Sequence, residues 1–192
     1  DLSKRHRTTA RRTRQAIEWQ YRFTWADIER IRKKFDIPLI LKGIATAEDS
    51  AIAVESGIDA IYVSNHGGRQ LDHGRGTLEI LPEVVDAAGD RADIYIDGGF
   101  MRGTDIVKAM ALGADAVGIG RLQGLALGAN GRVGVARMLE LLEAEIRICL
   151  GLLGVTKYAD LDQSYLHAVS PVEFPGPLSA FPLMFEDYLY ER

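Results

Sequence analysis

The chain has 192 residues, of which 47% are hydrophobic and 26% are charged, and its formal net charge is −4. This composition predicts an ordinary globular protein with one domain, or one large piece of a bigger domain. Apolar runs fall short of the roughly 20 residues that span a bilayer, which excludes a transmembrane helix, and we expect no signal peptide. The single cysteine, Cys149, excludes an intrachain disulfide and predicts a buried, inert thiol in a reducing cytoplasm.

The first residues of the chain are strongly basic. Asp1 is the only acid beside a cluster of cations, which are Lys4, Arg5, Arg7, Arg11, Arg12 and Arg14. Such a run can contact nucleic acid, anionic lipid or an acidic partner. No aromatic residue lies between Asp1 and Gln15, which disfavours stacking on single-stranded nucleic acid. We therefore predict a solvated, mobile segment and no nucleic-acid partner.

From residue 36 onward, the sequence repeats a short apolar run, a small loop and a helix-like stretch. The predicted strands are 38–41, 60–63, 94–96 and 116–119, and the predicted helices are 46–57, 77–88, 103–112 and 135–150. Continuous apolar runs between turn residues are typical of strands buried on both faces of a parallel sheet. The capping-box pattern from Thr46 to Asp49 marks one helix start, and Gly57 and Gly113 mark helix ends.

Four β-α units in series predict a right-handed, parallel α/β arrangement. Four strands alone leave an open sheet with an unpaired edge on each side. Half of a (β/α)8 TIM barrel explains both the pattern and its incompleteness, because a full barrel needs about 250 residues.

Unusual residues follow all four predicted strands, at the end of a barrel where chemistry lies. These loops are 42–43, 64–72, 97–99 and 118–121. The last two predict a phosphate site, because glycine backbone approaches an anion closely and a helix starting near Gly103 directs amide groups at it. Arg121 and Arg102 would add charge-assisted hydrogen bonds. The alternative is that these glycines only form tight turns.

The loop after the second strand predicts a reaction centre. Imidazole is the usual proton acceptor near neutral pH, which favours His66 as a base. Arg69 carries a planar guanidinium that can hold a carboxylate through two hydrogen bonds, so the pair suits proton removal from a 2-hydroxy acid. A purely structural role for both residues is the alternative, and the neighbouring glycines argue against it.

Lys42 ends an apolar strand, where its ammonium would stabilise a reduced flavin at the N1/O2 edge; a Schiff-base lysine is the competing interpretation.

Four segments, in this order, carry a resemblance to a known family. They are LILKGI (39–44), YVSNHGGRQLDHG (62–74), DGGFMRGTD (97–105) and AVGIGR (116–121). The chain resembles the FMN-dependent L-2-hydroxy acid oxidases and dehydrogenases, the glycolate oxidase, L-lactate oxidase and mandelate dehydrogenase group. The resemblance implies that residues 24–155 supply roughly strands five to eight of the barrel. Residues 1–23 would be a basic mobile loop segment, and residues 156–192 a C-terminal helix and irregular tail.

The resemblance also implies FMN as the cofactor and a role for each matching residue. His66 would be the base, Arg69 would bind the substrate carboxylate, Lys42 would contact the flavin N1/O2 edge, and Ser64 would lie near the flavin. The ribityl and phosphate groups would be held by Asp97, Gly98, Gly99, Arg102, Gly120 and Arg121. The family often has arginine where this chain has Met101. One expected phosphate contact is therefore in question, and Arg121 would contribute more of the phosphate binding.

A small L-2-hydroxy acid is the implied substrate, and O2 or another electron acceptor would reoxidise the flavin. We expect this chain to be one piece of a nicked or divided enzyme, with the N-terminal half of the barrel bound to it in a homo-oligomer, a tetramer by resemblance. The identity of the acid, and oxidase, dehydrogenase or monooxygenase activity, stay open. Another FMN- or phosphate-binding barrel of the isomerase type, and a non-catalytic half-barrel subunit, are the alternatives.

Overall fold

A computed structural model describes residues 22–68, 71 and 74–169 of the chain. Arg69, the predicted carboxylate-binding residue, lies outside the described residues, as does nearly all of the basic segment 1–23. Residues 170–192 of the predicted C-terminal region also lie outside them.

Strands and helices alternate along the described part of the chain. In order they are α1 (Trp25–Lys34), β1 (Ile40–Ile44), α2 (Ala47–Glu55), β2 (Ala60–Val63), α3 (Thr77–Ala88), β3 (Asp93–Asp97), α4 (Gly103–Ala111), β4 (Ala116–Gly118) and α5 (Arg121–Leu153). Short 3-10 turns lie at His66–Gly68, Gly89–Arg91, Tyr158–Asp160 and Gln163–Tyr165. Each of the four predicted β-α units is present, which confirms the α/β prediction.

The four strands form one parallel sheet in the order β1-β2-β3-β4. The first strand begins two residues later than predicted, because Pro38 has no N–H and the amide of Leu39 donates to the carboxylate of Asp59 at 2.7 Å. The register then pairs Lys42 with Tyr62 and Tyr62 with Tyr95 across three strands. Among the described strands, β1 and β4 each have one neighbour, so both edges of the sheet are open.

The hydrophobic core lies between one face of the sheet and the helices. Ile61 and Val63 of β2 and Ile96 of β3 are fully buried, as are Leu81 and Val84 of α3. Burying a side chain of this size contributes about 1.5–3 kcal/mol. Alternate residues of the strands point to the other face, which is the interior side of a barrel and is only half-buried here.

Helix α5 is longer than its predicted extent of 135–150. It starts at Arg121 and is interrupted at Asn130 and Gly131, where the backbone leaves helical geometry. The two segments cross closely, because a Cβ at Gly134 would collide with the carbonyl oxygen of Ala126. The first segment of α5 could not be predicted from the sequence because it contains Gly124 and Gly128, and glycine costs about 1 kcal/mol in a helix interior.

Two further expectations need correction or stay open. Cys149 is half-buried in α5 rather than fully buried; Ile148 and Leu152 are 65% and 83% exposed, so this end of the helix is only partly covered by the rest of the described chain. Within 156–169, the described helical elements are the two 3-10 turns, and the predicted C-terminal α-helix is absent from that range. The division into three segments stays a prediction. Of the helices in the described ranges, none combines the length and apolar character needed to cross a membrane.

Candidate active site

A cavity of about 580 Å³ lies at the carboxyl ends of the strands. It is lined by Lys42, His66, Gly67, Asp97, Gly98, Gly99, Gly120 and Arg121. Each strand, or the loop that follows it, contributes to this lining. The cavity thus brings together seven of the residues that the sequence predicted for the site.

Lys42, Ser64 and Asp97 form a hydrogen-bonded network at the base of the cavity. The Lys42 ammonium donates to Ser64 Oγ at 2.7 Å and forms an ion pair with Asp97 Oδ2 at 3.0 Å. The hydroxyl of Ser64, which is 2% exposed, donates to Asp97 Oδ1 at 2.5 Å. Because Ser64 and Asp97 both bind it, the ammonium is held in one position in the cavity lining.

His66 is held over β1 by an unusual backbone conformation. Its φ of +56° lies in the left-handed region, which few non-glycine residues adopt. The His66 N–H donates to Ser64 Oγ at 3.2 Å, and the side chain of Asn65 accepts from the N–H groups of Gly67 and Gly68. The imidazole lies close to Gly43, where a Cβ would approach His66 Cε1 to 3.2 Å. Backbone strain of this kind concentrates at functional sites.

The glycines and Arg121 give one wall of the cavity an anion-binding character. Gly98 and Gly99 have φ values of +116° and +85°, a conformation that side chains disfavour. A Cβ at Gly99 would meet open space, so the backbone there is accessible to a ligand. Gly120 and Arg121 begin the long helix α5, whose free N-terminal amides and macrodipole attract negative charge. The loop after β3 and the N-terminus of α5 therefore form the anion-binding wall together.

Arg102 and the start of α4 are engaged elsewhere. Arg102 Nε lies 2.7 Å from Glu145 Oε1, and the N–H of Gly103 donates to the other oxygen of that carboxylate at 2.7 Å. Arg102 is not part of the cavity lining described above, and its role as a cofactor ligand stays a prediction. Met101 lines a second, apolar groove of about 680 Å³ between the two segments of α5. No local sequence signal marks Glu145, since it lies 43 residues after Arg102.

We expect Glu145→Gln to lower the free energy of unfolding by about 1 kcal/mol, because a neutral amide weakens both bonds to the start of α4. Thermal or urea denaturation measures the change. Glu143→Gln is the matched control, since Glu143 pairs only with Arg147 on the exposed face of the same helix among the contacts described. Equal losses for the two variants would contradict a special role for Glu145.

Tyr62 is a residue that sequence reasoning missed. It lies on β2 next to the lining residue Lys42, whose Nζ is 4.9 Å from the centroid of the Tyr62 ring. Burial, and then the negative charge of Asp97, raise the pKa of the Tyr62 phenol above its ordinary value. The described residues contain no group of three or more His, Cys, Asp or Glu side chains arranged to hold a metal ion.

The chain is similar in sequence to known proteins of one family. The sequence profile of the FMN-dependent dehydrogenases matches residues 2–168. An L-lactate oxidase from Nostoc sp. is 49% identical over 146 residues, which is 75% of this chain and 40% of that protein. Glycolate oxidase 1 from Oryza sativa subsp. indica is 43% identical over 144 residues, which is 75% of this chain and 39% of that protein.

The fold is also similar to that of a solved structure. The crystal structure of a mandelate oxidase superimposes with a TM-score of 0.70 and 44% sequence identity, covering 72% of this chain and 40% of that one. This likeness confirms that the open sheet corresponds to part of a (β/α)8 barrel. The chain spans about two fifths of the length of the curated relatives it matches.

Proposed function

Because this chain belongs to the FMN-dependent dehydrogenase family, we propose that it supplies the C-terminal half of a barrel that oxidises a small L-2-hydroxy acid to the 2-oxo acid. The observation that carries the proposal is the meeting of Lys42, His66 and Arg121 in one cavity at the strand ends. Both edges of the described sheet are open, which supports an N-terminal half barrel, from the same or a separate polypeptide, as the partner.

The residues that line the cavity fit FMN. Arg121 and the amides at the start of α5 suit a phosphate, and the open backbone at Gly99 allows close approach. The Asp97 carboxylate suits the hydroxyl groups of a ribityl chain, and Lys42 is the cation suited to the flavin N1/O2 edge. Bound FMN would supply the hydride acceptor, its N5 atom, for the substrate α-carbon.

His66 is the proposed proton acceptor for the hydroxyl oxygen of the substrate. Its position over Gly43, next to Lys42 in the cavity lining, keeps an imidazole within the site where the acid would bind. We propose that Arg69 binds the substrate carboxylate and so orients the α-hydrogen, an effect that contributes several kcal/mol in well-oriented reactions. Ser64 and Asp97 bind the Lys42 ammonium and keep it in place.

The test is an anaerobic visible spectrum of the protein with FMN, before and after adding L-lactate, glycolate or L-mandelate. The chain is co-expressed with the part of the Nostoc L-lactate oxidase that it does not match, so that the barrel is complete. Bleaching of the flavin band by one of the acids supports the proposal. A band that none of them bleaches points to another FMN barrel, such as an isomerase, and a colourless complex points to a non-catalytic subunit.

We expect Gly43→Ala to slow flavin reduction by at least tenfold while FMN stays bound. The φ of Gly43 is +106°, and the new Cβ would press on His66 Cε1, so the imidazole would leave its position. A displacement of about 1 Å can cost 10²-fold in rate. Stopped-flow absorbance measures the reduction, and Gly76→Ala is the control, because a Cβ there meets open space. An unchanged rate in the first variant would contradict the described position of His66.

The remaining properties stay predictions. They are the electron acceptor, which is O2 or another oxidant, the homo-oligomeric state, the absence of nucleic-acid partners and the cytoplasmic location. The length and identity of the acid depend on the half of the barrel that this chain does not supply.

A further inference from the structure

We propose that Tyr62 is a positioning residue that packs under the Lys42 side chain, next to the cofactor cavity, and fixes the Lys42 ammonium for the flavin, an inference that rests on the proposed function. Tyr62 lies at the middle of three adjacent strands, in register with Lys42 on one side and Tyr95 on the other. All three side chains therefore point to the face that becomes the barrel interior.

The position of the Tyr62 ring is determined by its neighbours. The ring packs edge-on against Tyr95, with centroids 6.2 Å apart and planes at 81°. The phenol extends past β3 to β4 and lies against Gly118, where a Cβ would collide with its oxygen. Gly118 is therefore the residue that lets the ring cross the barrel interior. The ring therefore reaches from β2 across β3 to β4 on the interior face of the sheet.

This placement acts on Lys42. The ammonium lies 4.9 Å from the ring centroid, within the range of a cation–π contact, while Ser64 and Asp97 bind it from the side. The aromatic ring adds an attraction to the ammonium that an aliphatic side chain lacks. A phenol is neutral at neutral pH, and burial raises the pKa of Tyr62 further, so the hydroxyl adds no negative charge beside Lys42. The flavin would thus meet a cation that is already in place.

The experiment compares FMN binding by Tyr62 variants of the complete, co-expressed protein, measured by FMN fluorescence titration. Tyr62→Leu should raise the FMN dissociation constant about fivefold, while Tyr62→Phe, which keeps the ring, should stay within about twofold of the parent. Tyr62→Leu should also lower the flavin midpoint potential, because Lys42 loses its contact with the ring and is bound only from the side by Ser64 and Asp97. Tyr165→Leu is the matched control; it removes a half-exposed ring that does not line the cavity, and it should leave both values nearly unchanged.

A second pair of variants tests the proposal if Tyr62→Leu does not fold. Gly118→Ala should weaken FMN binding by pushing the ring aside, and adding Tyr62→Phe should restore part of it, because the colliding oxygen is gone. Equal FMN affinity and potential in the parent, Tyr62→Leu and Tyr165→Leu would overturn the role of Tyr62 while leaving the proposed function intact. A parent protein that binds no FMN would overturn both.

Discussion

Replacing His66 with glutamine will slow flavin reduction by a factor of about 10³ and leave FMN bound. A general base contributes typically 10²–10⁴-fold, and a glutamine amide cannot accept the hydroxyl proton, although it keeps the size and polarity of the side chain. The strained backbone and the contact with Gly43 hold the imidazole inside the cavity. No other described histidine lines the cavity and could replace it. Anaerobic stopped-flow absorbance after adding the best substrate acid measures the rate.

The control for this variant is His167→Gln. His167 lies in the exposed C-terminal part of the described chain, and it does not line the cavity at the strand ends. We expect that variant to reduce its flavin at the parent rate. Reduction by His66→Gln within about threefold of the parent would show that another group accepts the proton, and the mechanism would need a different base.

The sequence predicted the β-α units because their signals are local. Apolar runs such as 60–63 are bounded by turn residues, and Thr46 caps α2 by accepting from the N–H of Asp49 at 3.1 Å. A parallel sheet then brings the carboxyl ends of all its strands to one edge, whatever the register. Lys42, His66 and Arg121 could therefore be assigned to one site without knowledge of their distances.

Interactions between distant segments could not be predicted in the same way. Arg102 was expected at a phosphate, but its partner Glu145 lies on the far part of α5, a helix whose first segment is hidden by its glycines. Tyr62 looks like an ordinary aromatic strand residue, because its path across the barrel interior depends on Gly118 of β4. In both cases, the decisive partner is specified by tertiary packing rather than by the local pattern.

Arg121 lines the cavity whereas Arg102 is paired with Glu145, so we expect the two arginines to differ in their effect on FMN binding. We expect Arg121→Ala to raise the FMN dissociation constant about 50-fold, because charge-assisted hydrogen bonds to a phosphate contribute about 1.5–3 kcal/mol. Arg121 lines the cavity at the start of α5, where the helix amides attract the same group. Arg121→Lys should lose about tenfold, since an ammonium keeps the charge but lacks the planar fork. Fluorescence titration with FMN measures all three proteins.

The Arg102→Ala variant tests whether Arg121 alone, or Arg102 as well, binds the phosphate of FMN. Arg102 is paired with Glu145, so its loss should lower the unfolding temperature and change FMN affinity by less than about threefold. Met101, the residue before Arg102, lines the apolar groove beside α5. If Arg102→Ala weakened FMN binding as much as Arg121→Ala, the ion pair with Glu145 would have to open when the cofactor binds, and the phosphate would be shared between the two arginines.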